Sequence, residues 1–227
     1  MAASHPLDNP ARAALLGPQA HLAERRGAAL RYRANVSPFV ALPDEPAPGI
    51  WDDMAKLAGP GGIVATAGMA AEPPPGWEVR MRIEGVQLVA GDVAAAPDTE
   101  ATPLGPADVP EMLELAARTR PGPFLPRTIE FGGYLGIRRG GSLVAMAGER
   151  IRPPGWTEIS AVCTDAEYRG QGLATRLTLA VAAAILERGD TPFLHASADN
   201  VSAIRLYAAL GFRFRREAQF VVIRAPR

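Results

Sequence analysis

The sequence predicts an α/β fold built on one mixed sheet, and three observations support this. Two strand-like segments, YLGIRR and SLVAMAGERI, flank the pair Gly140-Gly141, which tolerates positive φ and is typical of a tight β-hairpin. Further along, an apolar residue recurs every four positions, as on one face of a helix: Leu173, Leu177, Val181 and Ile185. Strand and helix patterns then alternate over the remaining residues, which indicates a sheet covered by helices.

The segment before residue 89 reads as short elements of mixed type, because prolines and glycines interrupt it often. We expect a helix near Ala11 to Arg26, an extended segment AALRYRANVSPFVAL and a short helix around Trp51 to Ala58. Strands are predicted at GIVATAG and WEVRMRI. No recognisable catalytic pattern occurs in this segment.

A connector separates the two halves of the sequence. The stretch VAGDVAAAPDTEATPLGP, from Val89 to Pro106, is rich in Ala, Pro, Thr and Asp and has no periodicity. We therefore predict two regions, residues 1–95 and residues 102–227.

The second region begins with a helix, for which Asp108 is the predicted cap and Pro110 lies in the first turn. Its inner stripe is predicted to be Met112, Leu115 and Ala116. After the hairpin, TEISAVCT is expected as a third strand. The helix with the four-residue repeat follows and ends at Gly189, and PFLHAS is the next strand.

The last two predicted elements are a helix and a strand. Asn200 or Asp199 caps the helix, and Gly211 closes it. The apolar face of this helix is Ala203, Leu206, Tyr207 and Leu210. The final strand is FRFRREAQFVVI, whose arginines either face solvent or hold an anionic group.

Composition argues against several classes of function. The 227-residue chain has 24 basic and 24 acidic residues, so no net charge is present to recruit nucleic acid or an anionic membrane. Hydrophobic residues make up 48% of it, yet no window approaches the length of a membrane span. A single cysteine, Cys163, and a start without a leader pattern indicate a cytoplasmic protein. The histidines are too scattered to predict a metal site: His5, His21 and His195.

The segment EYRGQGLATRL, residues 167–177, places a glycine-rich turn at the start of a predicted helix. Such a turn suits an anion, because free backbone N–H groups and the positive end of the helix dipole point the same way. It lacks the lysine of a nucleoside-triphosphate loop and the third glycine of a dinucleotide fingerprint. From these residues alone, a small-anion site and a purely structural turn both stay open.

Two motifs make the second region resemble the GNAT (GCN5-related N-acetyltransferase) superfamily, and within it the FR47-like group related to glycine N-acyltransferases. The first, R-x-x-G-x-A, is formed by Arg169, Gly172 and Ala174. The second, N-x-x-A-x-x-L-Y-x-x-L-G-F, is formed by Asn200, Ala203, Leu206, Tyr207, Leu210, Gly211 and Phe212. The resemblance covers roughly residues 102–227. It implies a GNAT fold, with a central mixed, mostly antiparallel sheet flanked by helices.

The resemblance also implies a site for acetyl-CoA or another acyl-CoA, and no metal. Backbone amides of the turn would hold the pyrophosphate, and the pantetheine arm would pair with the main chain of the preceding strand. The residues implied are Val162, Cys163, Thr164, Arg169, Gly170, Gln171, Gly172, Leu173, Ala174, Thr175 and Asn200. Asn200 would be a helix cap, a pantetheine ligand or both.

Three residues are candidates for proton transfer. The resemblance implies that Tyr207, neutral at pH 7, protonates the departing thiolate; the alternative is a core aromatic residue. For the base it offers Glu158 or His195, whose alternatives are a solvated strand carboxylate and a half-buried strand residue. Cys163 lies mid-strand in an apolar run, which favours a buried hydrophobe over a nucleophile.

The function implied by the resemblance is an acyl-CoA-dependent N-acyltransferase that moves acetyl to a primary amine of a small molecule by direct attack. Alternatives are a catalytically silent acyl-CoA-binding module and a protein (lysine or N-terminal) acetyltransferase. Relatives of the glycine N-acyltransferase type carry an N-terminal half that resembles a degenerate second copy of the fold, and residues 1–95 would be that half. It would shape the acceptor pocket or form a subunit contact in a homodimer.

Overall fold

The computed structural model describes residues 5–45, 47–67 and 72–227. Eleven strands within these ranges form one sheet: β1 (Ala23–Arg26), β2 (Ala29–Tyr32), β3 (Phe39–Ala41), β4 (Ile63–Thr66), β5 (Glu78–Ala90), β6 (Thr102–Pro103), β7 (Tyr134–Arg139), β8 (Ser142–Glu149), β9 (Trp156–Thr164), β10 (Thr191–Ser197) and β11 (Phe212–Arg224). Their spatial order is β1-β2-β3-β4-β11-β5-β10-β9-β8-β7-β6.

Five α-helices of the described ranges flank this sheet: α1 (Pro10–Leu15), α2 (Ile50–Ala58), α3 (Val109–Thr119), α4 (Leu173–Glu187) and α5 (Val201–Ala209). The longest, α4, packs against β7, β8, β9 and β10. Its four-residue apolar repeat is buried as predicted: Leu173, Leu177, Val181 and Ile185.

The predicted elements of the first half are correct in type except for the first helix. Helix α1 ends at Leu15, and Ala23–Arg26 is a strand, so the predicted helix to Arg26 is wrong. Gly17-Pro18 explains the early end, because proline disfavours helical geometry at the residue before it. Gly68, the last residue of GIVATAG, and the first four residues of the chain lie outside the described residues.

The second half follows the predicted order of elements apart from two corrections near its start. The predicted connector contains a short strand, β6 (Thr102–Pro103), which pairs with β7, so this region does not begin with a helix. The second correction is at the start of α3. Asp108 precedes that helix, but its side chain does not cap it. Instead it accepts hydrogen bonds from the Gly105 N–H at 2.8 Å and from Arg138 at 2.6 Å. The predicted hairpin turn is confirmed, since φ is 55° at Gly140 and 87° at Gly141.

Strand β5 joins both predicted regions within one sheet. It lies between β10 and β11 and pairs antiparallel with both. Only β3–β4 and β9–β10 are parallel among the described pairs, so the prediction of a mixed, mostly antiparallel sheet is confirmed. The boundary near residue 95 therefore separates stretches of sequence and not two sheets. The interpretation of residues 1–95 as a degenerate copy stays a prediction.

The sheet opens between β9 and β10. These strands pair only from Trp156–Glu158 to Thr191–Phe193. Beyond that point β9 carries one extra residue relative to β8, because Cys163 pairs with Met146 and Ser160 with Gly148. Ala161 lies in this bulge with φ 53°, a left-handed conformation that is uncommon for a residue other than glycine. The two strands diverge from here on.

A buried apolar cluster connects the first half of the chain to the strands beside this opening. Its largest members come from both halves: Leu7, Tyr32, Phe39, Phe131, Ile151 and Phe193. Burial of this size is worth roughly 1.5–3 kcal/mol per large side chain, so the first half is a structural part of the fold.

Gly148 on β8 tests how tightly the strands are packed. A methyl group there would overlap the buried ring of Tyr134, its partner on β7, so we expect Gly148→Ala to lower the free energy of unfolding by about 1–3 kcal/mol. Urea denaturation measures the loss. Gly105→Ala is the matched control, because Gly105 has φ −123° and no neighbour within 4 Å of an added Cβ. Equal stability of both variants would contradict this packing.

Candidate active site

The glycine-rich turn places open backbone at the start of α4. Gly170 and Gly172 have φ of 78° and 74°, and an added Cβ at either would meet no atom within 4 Å. Gly172 is the N-cap residue, so the first N–H groups of α4 have no partner within the helix. The turn therefore has the open face and the donors that an anion requires.

A cavity of about 420 Å³ lies in front of this turn. All of the predicted cofactor residues line it except Gln171, which is exposed. The hydroxyl oxygen of Thr164 is buried and has no hydrogen-bond partner among the described residues, although Thr164 lines the cavity. An unpaired buried hydroxyl costs free energy, so this group fits a ligand with polar atoms along β9.

Asn200 and Tyr207 of the second motif also line this cavity. Asn200 caps α5, because its Oδ1 atom accepts a hydrogen bond from the Ala203 N–H at 3.1 Å. Burial raises the pKa of Tyr207 to about 12, so this phenol is protonated at neutral pH. No described residue forms a hydrogen bond with its hydroxyl group, which leaves the hydroxyl available to a ligand.

Cys163 lines the same cavity but has the character of a buried apolar residue. Burial raises the pKa of its thiol to about 11, so little thiolate exists at neutral pH. The geometry thus gives Cys163 a place in the wall and no nucleophilic role.

Glu158 lies behind the cavities in a buried ion pair. Its Oε2 atom accepts a hydrogen bond from Arg150 Nε at 2.8 Å, and its Oε1 atom accepts from Arg150 Nη2 at 2.7 Å. Burial alone raises the pKa of this carboxyl, but the charge and hydrogen bonds of Arg150, with a further contribution from His195, lower it to about 2. Its side chain is 0% exposed, so the alternative of a solvated carboxylate is wrong.

His195 on β10 connects Glu158 on β9 to Gln87 on β5, the neighbouring strand at its other edge. Its Nδ1 atom lies 2.7 Å from Glu158 Oε1, and its Nε2 atom lies 3.1 Å from Gln87 Nε2. The Gln87 amide orientation follows from its other partners, since Nε2 donates to the Leu7 carbonyl and Oε1 accepts from Arg215. Gln87 is therefore the donor to His195 Nε2, so Nδ1 is the ring nitrogen that donates to Glu158 Oε1.

A second cavity, of about 370 Å³, meets the first. The side chains shared by both include Val162, Asn200 and Tyr207, while His195 lines the second alone. Its floor is mainly apolar and comes from both halves of the chain: Phe39, Ala65, Ile83, Ile159, Phe220 and Val222. A ligand in each cavity would thus meet the other beside Tyr207.

Comparison with known proteins agrees with this geometry. A family model of FR47-like proteins matches residues 134–221. A crystal structure of a GNAT-family protein from Novosphingobium aromaticivorans DSM 12444 matches with a TM-score of 0.89 and 42% sequence identity, over 97% of this chain and 98% of that chain. The chain belongs to the GNAT family.

Two further proteins match at lower identity or over a shorter length. A GCN5-related N-acetyltransferase from Kribbella flavida has a TM-score of 0.61 at 20% identity over 96% of each chain, which supports the fold alone. N-alpha-acetyltransferase RimI from Mycobacterium tuberculosis (strain ATCC 25618 / H37Rv) is 35% identical over 83 residues, 35% of this chain. The match spans about half, 51%, of that relative's length.

The arrangement in this GNAT protein includes residues that the sequence did not single out. Arg150 and Gln87 hold Glu158 and His195, and Arg120 lines both cavities. Arg150 follows β8 and lies opposite Glu158, so a predicted register between β8 and β9 would have placed these two residues side by side. No sequence signal indicates the role of Gln87.

Within the described ranges, no group of His, Cys, Asp or Glu side chains could hold a metal ion. No helix there has the length and apolar character needed to cross a membrane.

The buried pair predicts a loss of stability in acid. The folded pKa of Glu158, about 2, lies below the unfolded value of about 4.3, so its stabilisation is present above pH 4.3 and is lost as the pH falls through 2. We expect Glu158→Gln to be about 3–5 kcal/mol less stable at pH 7, because Arg150 loses its partner. Its stability should also depend less on pH between 4.5 and 2. Chemical denaturation over this pH range measures both effects.

Asp98→Asn is the control for that experiment. The pKa of Asp98 is also lowered to about 2, mainly by its hydrogen bond from Arg176, but the Arg176 side chain is 35% exposed. Since solvent screens such a pair, we expect a change of less than about 1 kcal/mol at pH 7. Equal losses of stability in the two variants at pH 7 would contradict the statement that burial makes the Glu158 ion pair more important than the exposed Asp98 pair.

Proposed function

We propose that this GNAT protein is an acyl-CoA-dependent N-acetyltransferase that transfers acetyl from acetyl-CoA to a primary amine of a small molecule. The observation that supports this most directly is the meeting of the two cavities beside Tyr207. The first offers a backbone anion site, and the second has an apolar wall of a size suited to a small molecule.

Acetyl-CoA fits the first cavity through this chain's own groups. The turn from Gly170 to Thr175 presents its N–H groups to the pyrophosphate, and the α4 dipole adds to their attraction. Thr164 and Asn200 supply polar side chains near the main chain of β9 for the pantetheine amides. When bound, the cofactor supplies the thioester whose acetyl group is transferred. Direct attack then needs mainly correct positioning of the amine.

Tyr207 is the proposed general acid. Its hydroxyl is protonated at neutral pH, has no hydrogen bond to a described residue and lies where the cavities meet. It donates its proton to the sulfur atom as the carbon–sulfur bond breaks.

His195 is the better placed of the two predicted bases. Glu158 does not line either cavity, and its pKa of about 2 makes it a weak proton acceptor. His195 lines the second cavity, which we call the acceptor cavity because the amine is proposed to bind there. Glu158 accepts the hydrogen bond from its Nδ1–H. Nε2 is the atom that takes the proton from the amine, and for this the hydrogen bond from Gln87 must be exchanged for one from the substrate.

A protein N-terminus is the second candidate acceptor, and the similarity to RimI favours it. A protein N-terminus is also a primary amine, but it requires space in the cavity for the peptide that follows it.

A catalytically silent acyl-CoA-binding module is another alternative. Binding of acetyl-CoA without turnover of any amine would support it. A homodimer contact through the first half stays a prediction.

Isothermal titration with acetyl-CoA tests the cofactor site. Gly172→Glu puts a carboxylate where the pyrophosphate is proposed to lie, so we expect the Kd to rise at least about tenfold. Gly189→Glu is the matched control: Gly189 closes the other end of α4, with φ 84° and open space around it, and lines neither cavity. No binding by the wild type would withdraw the transferase proposal.

Steady-state kinetics test the acid. Tyr207→Phe removes only the hydroxyl, so we expect kcat to fall about 10²–10⁴-fold with little change in the Kd for acetyl-CoA. Tyr134→Phe is the matched control, because the Tyr134 hydroxyl is buried without a partner among the described residues and lines neither cavity. Unchanged turnover by Tyr207→Phe would exclude it as the acid.

A further inference from the structure

The charged side chains that line the acceptor cavity are positive. Arg120 and Arg150 contribute to its wall, and no acidic side chain of the described residues does. Glu158 is close in the fold, but its two oxygens accept from Arg150 and His195 behind the wall. An amine that carried a second positive charge would find no counter-charge in this cavity.

Arg150 presents part of its guanidinium group to the cavity. Its Nε and Nη2 atoms donate to Glu158, while no described residue accepts a hydrogen bond from its Nη1 atom. The side chain is 11% exposed, and its guanidinium carbon lies 5.0 Å from the centre of the Phe39 ring. This donor is therefore held in a fixed position by the ion pair and the ring, and two N–H bonds remain for a ligand.

Arg120 lines both cavities. It follows α3 with φ 52°, and its side chain is exposed. No described residue forms an ion pair or hydrogen bond with its guanidinium group. A cation in this position attracts an anionic group of a molecule that enters the cavity.

The rest of the wall suits an apolar body. Phe39, Ile159 and Phe220 belong to the floor, and Pro121 and Pro123 face them from the loop after α3. An aliphatic or aromatic side chain buried here is stabilised in proportion to the apolar area removed from water, about 25 cal/mol per Å².

We propose that the acceptor is a small amine that bears a carboxylate and an apolar side chain, as a hydrophobic amino acid does. The inference rests on the proposed function and specifies its substrate class. The carboxylate accepts hydrogen bonds from both Arg120 and Arg150 Nη1, the apolar body lies on the floor, and the amine points toward Tyr207 and His195. The two arginines also favour the uncharged form of the amine, which is the nucleophilic form.

An acceptor series on the wild-type enzyme tests this directly. With acetyl-CoA fixed, we expect kcat/KM for L-phenylalanine to exceed that for L-phenylalaninamide and for phenethylamine by roughly 10–100-fold, the range of a charge-assisted hydrogen bond. Spermidine, which has several positive charges, should be the poorest acceptor. Equal or better use of the amide or of phenethylamine would overturn the carboxylate proposal and leave the transferase proposal intact. Acetyl-CoA binding without acetylation of any of the four would overturn this acceptor class.

Arg120→Gln locates the recognition without disturbing the buried ion pair. We expect the KM for L-phenylalanine to rise about tenfold while the KM for phenethylamine and the Kd for acetyl-CoA stay unchanged. Arg118→Gln is the matched control, because Arg118 lies near the same helix end, pairs with Asp165 and lines neither cavity. An equal rise for both acceptors, or a rise in the Kd for acetyl-CoA, would overturn the assignment of Arg120 to the acceptor.

Discussion

The early end of the pairing between β9 and β10 is the constraint on which the site depends. A sheet with complete pairing would leave no space for a ligand beside Cys163 and Tyr207. The extra residue in β9 and the left-handed Ala161 turn the strand away from its neighbour. Strain of this kind, of order 1–3 kcal/mol, persists only where the surrounding structure holds it, here α3 and α4, which both pack against β9.

The first half is connected to the site by polar groups as well as by packing. The Leu7 carbonyl fixes the Gln87 amide, and Gln19 donates to the Arg150 carbonyl at 2.7 Å. Tyr32 in turn donates to Gln19 at 2.7 Å. Each of these groups is buried, so an unmade bond would cost about 1–3 kcal/mol. Residues without catalytic chemistry thus determine the orientation of His195.

Local features of the site were predictable from the sequence, and distant ones were not. The turn at Gly170 and Gly172, the inner face of α4 and the Asn200 cap all arise within a few residues, where spacing and residue type decide the geometry. The contact between Gln87 and His195 joins positions 108 apart, and no periodicity indicates it. The burial of Glu158 was not predictable either, because it depends on which distant elements cover β9.

The position of β5 in the sheet has a consequence for folding during translation. Its partners on both edges, β10 and β11, come from residues 191–224, more than a hundred positions later in synthesis. During translation β5 leaves the ribosome long before either partner exists, with both of its edges unpaired. Such long-range pairing delays closure of the sheet, so the apolar residues of β5 stay exposed for longer than those of a strand that pairs with its sequence neighbour.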